Sequence, residues 1–210
     1  MINDQQKDIP CLVLGIGNIL WADEGFGVRA VEAFHQTWAF EDPNALVCDG
    51  GTLGMYLFDR ICRTKNLLIF DCCDFKGKPG EMRILRDDEI AVWTSTKISP
   101  HQTGMNDLLC AAALQDCSPN AITVIGVQPI VLDDYGGSLT PQIKECIPAA
   151  IQAAHDEIVK WNFALRKRNA GEKVEPLMDS EGISLEQYEK NRPVIEDEEK
   201  KRTRLKEGEF

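Results

Sequence analysis

The sequence predicts an α/β fold, a three-layer sandwich in which helices flank a twisted, largely parallel sheet. Short apolar runs alternate with helical patterns along most of the chain, as in successive βαβ units. The first run, Cys11 to Ile16, is apolar throughout, which is typical of a strand buried on both faces. A glycine turn follows it, and the acids Asp23 and Glu24 come directly before a helical pattern. Such acids fall at the carboxyl edge of the sheet, where open α/β folds build their sites.

Further strands and helices follow in the same alternation. The first helix is marked by apolar residues at helical spacing, which are Val28, Val31, Phe34 and Trp38. Later strands are predicted at 45–48, 66–70, 82–85 and 121–127, and helices at 55–62, 87–93, 105–112 and 140–165. Thr140 is expected to cap the last helix, and Pro148 to kink it or to split off its first turn. Pro100 and Gly104 predict a loop over residues 97–104.

Composition places the chain among soluble globular proteins, with 43% hydrophobic and 27% charged residues in 210. We assign residues 1–166 to the α/β domain. Residues 167–210 form a charged C-terminal extension with few large apolar residues, which we expect to be partly disordered or partner-bound.

The net charge of −11 argues against nucleic acid or an anionic membrane surface as a partner. The N-terminus lacks a signal-peptide core and no apolar run could span a membrane, so we expect a cytoplasmic protein without membrane insertion.

The eight cysteines include no C-x-x-C pair, and most of them lie inside apolar runs. We therefore expect them to be reduced and mostly structural. The adjacent pair Cys72 and Cys73 stands out, because it follows a candidate site residue, Asp71.

Three residues form a candidate site. Glu24 follows the first strand, Asp71 ends the strand at 66–70, and His101 lies in the predicted loop. Oxygen and nitrogen ligands of this kind suit zinc or nickel, and three protein ligands leave coordination positions open for metal-assisted chemistry. Each residue also has a simpler interpretation. Glu24 is an acid stabilised by the dipole at a helix N-terminus, Asp71 caps a turn, and His101 is one of three histidines without a special role.

Other chemistries have less support. No G-x-S-x-G elbow exists, and Ser99 near His101 has no identifiable orienting acid. A thiol nucleophile at Cys72 or Cys73, with His101 as its base, ranks below a metal site. The Gly15-x-Gly17 turn lacks the third glycine of a dinucleotide fingerprint, and no P-loop lysine follows it.

Five stretches of the chain carry a resemblance to a known family. They are LVLGIGNILWADEGFGVR at 12–29, DGGT at 49–52, LLIFDCCD at 67–74, KISPHQTG at 97–104 and IGVQP at 125–129. In these stretches the chain resembles the endopeptidases that mature the large subunits of nickel–iron hydrogenases, and the match extends over residues 11 to about 165. The stretches LDDYGGSLT at 132–140 and SLEQYEKNRP at 184–193 are most similar to the branch that serves membrane-bound uptake hydrogenases.

The resemblance implies a function and roles for particular residues. It implies an endopeptidase that removes the C-terminal peptide from the nickel-loaded large-subunit precursor. Glu24, Asp71 and His101 would be its catalytic, metal-contacting residues, and the substrate would supply the nickel, so that no resident metal is needed. Asp49 matches a position associated with substrate or nickel recognition, in a turn that continues through Gly50 and Gly51. The family has smaller or aliphatic residues where Cys72 and Cys73 stand, so we assign these two no role.

Three alternatives to an endopeptidase remain open from the residues alone. A non-enzymatic nickel metallochaperone for hydrogenase assembly could use the same trio. A small hydrolase or nucleotide-binding enzyme could use the glycine turn. A binding module could act through the charged extension. For the endopeptidase, Glu24 could be a general base instead of a ligand, or cleavage could follow a conformational strain route. We expect a monomer.

Overall fold

The structure is a computed structural model that describes residues 7–86, 89–90, 100–178 and 183–192, with the backbone alone described at 100–103. The strands are β1 (Ile9–Ile16), β2 (Trp38–Phe40), β3 (Leu46–Gly51), β4 (Thr64–Cys72), β5 (Met82–Arg86), β6 (Ala121–Val127) and β7 (Leu165–Lys167). The helices are α1 (Phe26–Thr37), α2 (Phe58–Cys62), α3 (Pro100–Leu114), α4 (Pro141–Lys160) and α5 (Leu185–Lys190). Two 3₁₀ turns cover Ala22–Gly25 and Gly54–Leu57.

The main sheet has five strands in the order β3-β1-β4-β6-β5. The first four of these are parallel, and β5 is an antiparallel edge strand beside β6. Along β1, Leu12 and Leu14 contribute to one apolar cluster, while Val13 contributes to the other. Because both faces of the strands are buried under helices, the apolar runs are continuous, as predicted. The predicted three-layer α/β fold is confirmed.

A two-stranded antiparallel ribbon of β2 and β7 was not predicted. Trp38 and Leu165, both expected on helices, lie in its two strands, with Phe40 opposite Leu165 in the register. α1 ends at Thr37 and α4 at Lys160, and Asn162 then takes a left-handed conformation with φ of 63°. The apolar spacing continued past both helices because Trp38, Trp161 and Leu165 still pack against the same core. The prediction of a helix to residue 165 was therefore wrong.

The predicted loop at 97–104 is helical from Pro100 onward, so His101 lies in the first turn of α3 and not in a loop. A proline is tolerated in a first helical turn because its missing N–H has no helical partner there. Gly104 also stays within the helix. Residues 87–88 and 91–99, which together include most of the predicted helical turn at 87–93, lie outside the described residues.

The chain divides into two compact units after Asp179, whereas the sequence suggested a boundary after residue 166. Residues beyond that predicted boundary are tied to the first unit: the backbone N–H of Leu177 donates to Glu32 Oε2 at 2.9 Å, and Met178 is buried. In the second unit, α5 is capped by Ser184, whose hydroxyl accepts from the Gln187 N–H at 3.4 Å.

Cysteine use differs from the expectation at one pair. Cys62, at the end of α2, and Cys117, ahead of β6, are joined by a disulfide across a sequence separation of 55 residues. Their spacing gave no hint of it, because only the fold brings the two Cα atoms to 4.7 Å. In the part of the chain that the structure describes, the other six cysteines are not joined in disulfides. None of the helices in the described part of the chain is long and apolar enough to cross a membrane.

Candidate active site

The candidate residues lie at the carboxyl ends of the parallel strands. Gly15 of β1 pairs with Asp49 of β3 on one side and with Phe70 of β4 on the other, and Asp71 pairs with Gly126 of β6. Asp49 and Asp71 therefore lie near the carboxyl ends of the two strands that flank β1, at the same edge of the sheet, as predicted for Asp71. The loops that follow β1, β3, β4 and β6 together form this part of the surface.

The loop after β1 folds back on itself to place Glu24. The N–H of Asn18 donates to the Glu24 carbonyl at 3.2 Å, and the N–H of Glu24 donates to the Trp21 carbonyl at 3.0 Å. Gly17 makes this closure feasible: its φ is 141°, and a Cβ there would lie 2.0 Å from the Glu24 carbonyl oxygen. Glu24 itself is half-buried, in the 3₁₀ turn that precedes α1.

Helix α1 lies directly on the strand ends because it has a glycine at the contact. A Cβ on Gly27 would come within 2.2 Å of the carbonyl oxygens of Ile16 and Phe70. Glu24 is one turn before Gly27, and Asp71 directly follows Phe70, so this contact places the segment that carries Glu24 beside the end of β4 that carries Asp71. Burial, the largest cause, raises the pKa of the Cys72 thiol well above its usual value, and the negative charges of Asp71, Asp23 and Glu24 add to the rise. Both candidate carboxylates thus act on the same buried group.

Asp71 is completely buried, and its carboxylate is oriented by hydrogen bonds from the two residues that follow it. The N–H of Cys72 donates to Asp71 Oδ1 at 2.8 Å, and the Cys73 thiol donates to Oδ2 at 3.6 Å. Cys73 finds room there because Gly126 has no side chain: a Cβ on Gly126 would lie 2.8 Å from Cys73 Sγ. Cys73, to which the sequence assigned no role, therefore contacts the candidate carboxylate. The only feature of the sequence that pointed to this contact was the position of Cys73 two residues after Asp71.

The turn after β3 holds Asp49. Its Oδ1 accepts the N–H of Gly51 at 2.9 Å, and Gly51 has a φ of 42°, which favours glycine. The N–H of Gly17 donates to the Gly51 carbonyl at 3.0 Å, so this turn is tied to the loop that carries Glu24. Burial raises the pKa of the Asp49 carboxyl above its usual range, and the hydrogen bond from Gly51 opposes that rise.

The backbone of His101 begins α3, close to the same edge. Gly104, one turn later, lies next to Gly54: a Cβ on Gly104 would be in van der Waals contact with the Gly54 Cα, at 3.5 Å. The side chain of His101 lies outside the described residues. Among the residues that are described, no three His, Cys, Asp or Glu side chains form a metal-binding group. The structure thus brings together Glu24 and Asp71, and places the helix of His101 beside the turn that follows Asp49.

Comparison with known proteins decides the family. A family model described as HycI, hydrogenase maturation protease, matches residues 28–157, which is more than half of the chain. The chain belongs to the hydrogenase maturation protease family. It is therefore a hydrolase of the endopeptidase type, as the resemblance implied. The matched range includes Asp71 and His101 but begins after Glu24.

Individual relatives agree with this assignment. The chain is 46% identical over 180 residues to the hydrogenase expression/formation protein HupD of Rhizobium leguminosarum bv. viciae, covering 85% of this chain and 88% of the relative. It is 42% identical over 142 residues to the hydrogenase 2 maturation protease of Escherichia coli K12, covering 67% and 85%. Among solved structures, the hydrogenase maturating endopeptidase HybD from E. coli superimposes with a TM-score of 0.72 at 36% identity, covering 76% of this chain and 98% of HybD. The HupD match supports the predicted branch.

In this protease, the buried acid next to Glu24 has a different role, which the sequence did not reveal. Asp23 Oδ2 accepts the N–H groups of Ile130 and Val131, both at 2.9 Å, and Oδ1 accepts the N–H of Thr140 at 2.7 Å. The Thr140 hydroxyl donates to Asp23 as well, at 3.2 Å. Thr140 is the N-cap residue of α4, as predicted, but its hydroxyl donates to Asp23 and makes no capping bond to the helix. Asp23 therefore holds the residue at which that helix begins.

Gln128, in the stretch IGVQP, is a second residue of this protease with an unrecognised role. Its side-chain oxygen accepts the N–H groups of Phe75 at 2.7 Å and Gly77 at 3.2 Å, and its amide nitrogen donates to Asp74 Oδ1 at 3.0 Å. These bonds hold the loop that follows Asp71. A polar side chain directly after a strongly apolar strand was the available signal.

Proposed function

We propose that this protease removes the C-terminal peptide from the nickel-loaded precursor of a nickel–iron hydrogenase large subunit. The observation that carries the proposal is the contact of Gly27 in α1 with the strand ends at Ile16 and Phe70, next to the candidate residues Glu24 and Asp71, in a member of the hydrogenase maturation protease family. Family membership also favours proteolysis over the alternative of a non-enzymatic nickel metallochaperone, which the trio alone left open.

In the proposed reaction, nickel belongs to the substrate. Glu24, Asp71 and His101 would complete its coordination with oxygen and nitrogen ligands, which suit this ion. The ion would then polarise the scissile carbonyl, or lower the pKa of a bound water to about 7 so that it attacks as hydroxide. Asp71 is preorganised for this role by its bonds from Cys72 and Cys73. No resident metal is required, and cleavage would depend on prior nickel insertion.

Glu24 is the better candidate for a general base if one of the two carboxylates acts in that way. It is half-buried, whereas Asp71 is completely buried and accepts bonds at both oxygens. A partly exposed carboxylate is able to take a proton from an incoming water. Asp49, Gly50 and Gly51 would recognise the substrate from the neighbouring turn, which is tied to the Glu24 loop through Gly17.

The proposal also covers the setting of the reaction. The chain would act as a monomer in the cytoplasm. Its net charge of −11 supports a protein partner over nucleic acid.

Single variants of the trio test the proposal on a nickel-loaded precursor. We expect Glu24→Gln, Asp71→Asn and His101→Ala each to lower the single-turnover cleavage rate by about 100-fold or more, a typical loss when a positioned catalytic group is removed. The control is Asp107→Asn, which changes an exposed acid on the same helix as His101 and should cleave at the wild-type rate. Thermal unfolding of each variant separates lost chemistry from lost folding, above all for the buried Asp71. Wild-type cleavage by both Glu24→Gln and His101→Ala would refute the assignment.

A further inference from the structure

Exposed apolar side chains are concentrated at the edge of the sheet that carries the candidate active site. In the described residues nine large hydrophobic side chains are exposed, and seven of them lie in the loops or turns after β1, β3 and β6. These seven are Leu20, Trp21, Leu53, Met55, Tyr56, Ile130 and Tyr135. The other two, Leu114 and Val159, lie at the ends of α3 and α4. Scattered exposed hydrophobics are ordinary, but such a concentration at one site marks an interaction surface.

Four of these residues form one surface, which we call the tryptophan platform: Leu20, Trp21, Ile130 and Tyr135. The rings of Trp21 and Tyr135 meet edge to face with centroids 5.1 Å apart. Even so, 36% of Trp21 and 64% of Tyr135 remain exposed. Tryptophan and tyrosine are enriched among the residues that dominate protein–protein binding energies, since each buries a large area at a small cost in side-chain entropy.

The platform is held rigidly by backbone bonds between two loops. Gly136 donates its N–H to the Leu20 carbonyl at 2.8 Å, and Ala22 donates to the Gly137 carbonyl at 3.2 Å. The buried Asp23 carboxylate also fixes the N–H groups of Ile130 and Val131. A surface ordered in advance loses little conformational entropy when a partner binds, so its apolar area contributes more fully to affinity.

The platform is continuous with the proposed catalytic residues. Glu24 donates its N–H to the carbonyl of Trp21 at 3.0 Å, so the carboxylate and the indole belong to the same turn of chain. Any peptide bond presented to Glu24 and Asp71 brings its flanking residues across this edge of the sheet. The loop of Tyr135 also carries Asp133 and Asp134, which disfavour an acidic side chain at this place.

We infer that the tryptophan platform binds the segment of the precursor next to the scissile bond. The platform contacts apolar side chains of that segment, and the segment carries no acidic residue beside them. This inference rests on the proposed function and extends it to the recognition of substrate. The platform acts mainly on affinity, because its contacts are made with the ground-state substrate as well as with the transition state.

Steady-state cleavage of the nickel-loaded precursor by the full-length chain tests the inference. We expect Trp21→Ala and Tyr135→Ala each to raise KM by about tenfold or more while kcat changes by less than about twofold. Trp21→Phe retains a ring and should restore most of the loss. The matched control is Leu114→Ala, which removes an 87% exposed apolar side chain far along α3 and should leave KM unchanged. Thermal unfolding establishes that each variant is folded.

The outcomes distinguish this inference from the proposed function. If the wild type does not cleave the precursor, the proposed function fails first. If the wild type cleaves and both alanine variants keep its KM, the platform does not bind substrate and the inference is refuted. A change in sedimentation with KM unaltered would assign the surface to a second copy of the chain, which also refutes it. A fall in kcat with KM unchanged would refute the inference too, because the platform would then only position Glu24.

Discussion

Asp23 and Glu24 are adjacent, yet the fold uses them in different ways. Asp23 is completely buried and accepts four hydrogen bonds from residues 130–140, while Glu24 stays half-buried at the site. The sequence predicted acids at this strand end from the strand-turn-helix pattern alone. It could not distinguish their roles, because the partners of Asp23 lie more than a hundred positions further along the chain. The same holds for Gln128, whose partners at 74–77 are brought to it only by the β4–β6 pairing.

Replacing Asp23 should therefore affect stability. In Asp23→Asn, one oxygen becomes an NH₂ group that faces backbone donors, so at least one buried N–H loses its acceptor. We expect the free energy of unfolding to fall by about 3 kcal/mol, because a buried donor that loses its acceptor costs about 1–3 kcal/mol, and more when the lost acceptor was charged. Urea denaturation measures it. The control is Glu24→Gln, for which we expect a change below about 1 kcal/mol because its carboxylate is partly exposed. Unchanged stability in Asp23→Asn, with activity lost, would instead place Asp23 in the chemistry.

At the scale of elements, local patterns predicted the strands and helices well where burial was regular. They failed where a helix gave way to another structure that kept the same core contact, as at Trp38 and Leu165. They also misjudged the start of α3, since proline was interpreted as a breaker when it occupies a first helical turn.

The long helix α4 is held to the sheet by hydrogen bonds to a buried carboxylate, Glu157. Glu157 receives two hydrogen bonds from Arg86 of β5, at 2.7 and 2.6 Å, and one from Thr123 of β6, at 3.1 Å.

This network makes stability depend on pH in a defined direction. The hydrogen bonds from Arg86, assisted by Lys160 and Thr123 and opposed by burial, lower the pKa of Glu157 from 4.5 to about 2. A lowered folded-state pKa means that the contribution is fully present above pH 4.5 and is lost as the pH falls towards 2. We expect Glu157→Gln to reduce the free energy of unfolding at pH 7 by about 2 kcal/mol, typical of hydrogen bonds to a charged group. Urea denaturation of both proteins at pH 7 and pH 3 should show the difference shrinking at the lower pH. A difference that stays constant or grows would contradict the network's role.

For the whole molecule, the α/β sandwich and the edge that carries the site were predictable from alternation and strand ends. The compact unit continues past residue 166, which composition did not predict, because Leu177 and Met178 pack within an otherwise charged stretch. The Cys62–Cys117 disulfide likewise depends on how distant segments meet. The proposed function adds a consequence at this scale. An enzyme that relies on the nickel of its substrate would report on whether that nickel has been inserted.

Incubation of the purified full-length chain with nickel-loaded and nickel-free forms of one cognate precursor tests that claim most directly. The products are weighed by mass spectrometry, with the loading of each precursor verified by metal analysis. The account predicts loss of a single C-terminal peptide from the loaded form alone. Equal cleavage of both forms would contradict a role for substrate nickel, and an intact loaded precursor would contradict the proposed proteolysis of this substrate.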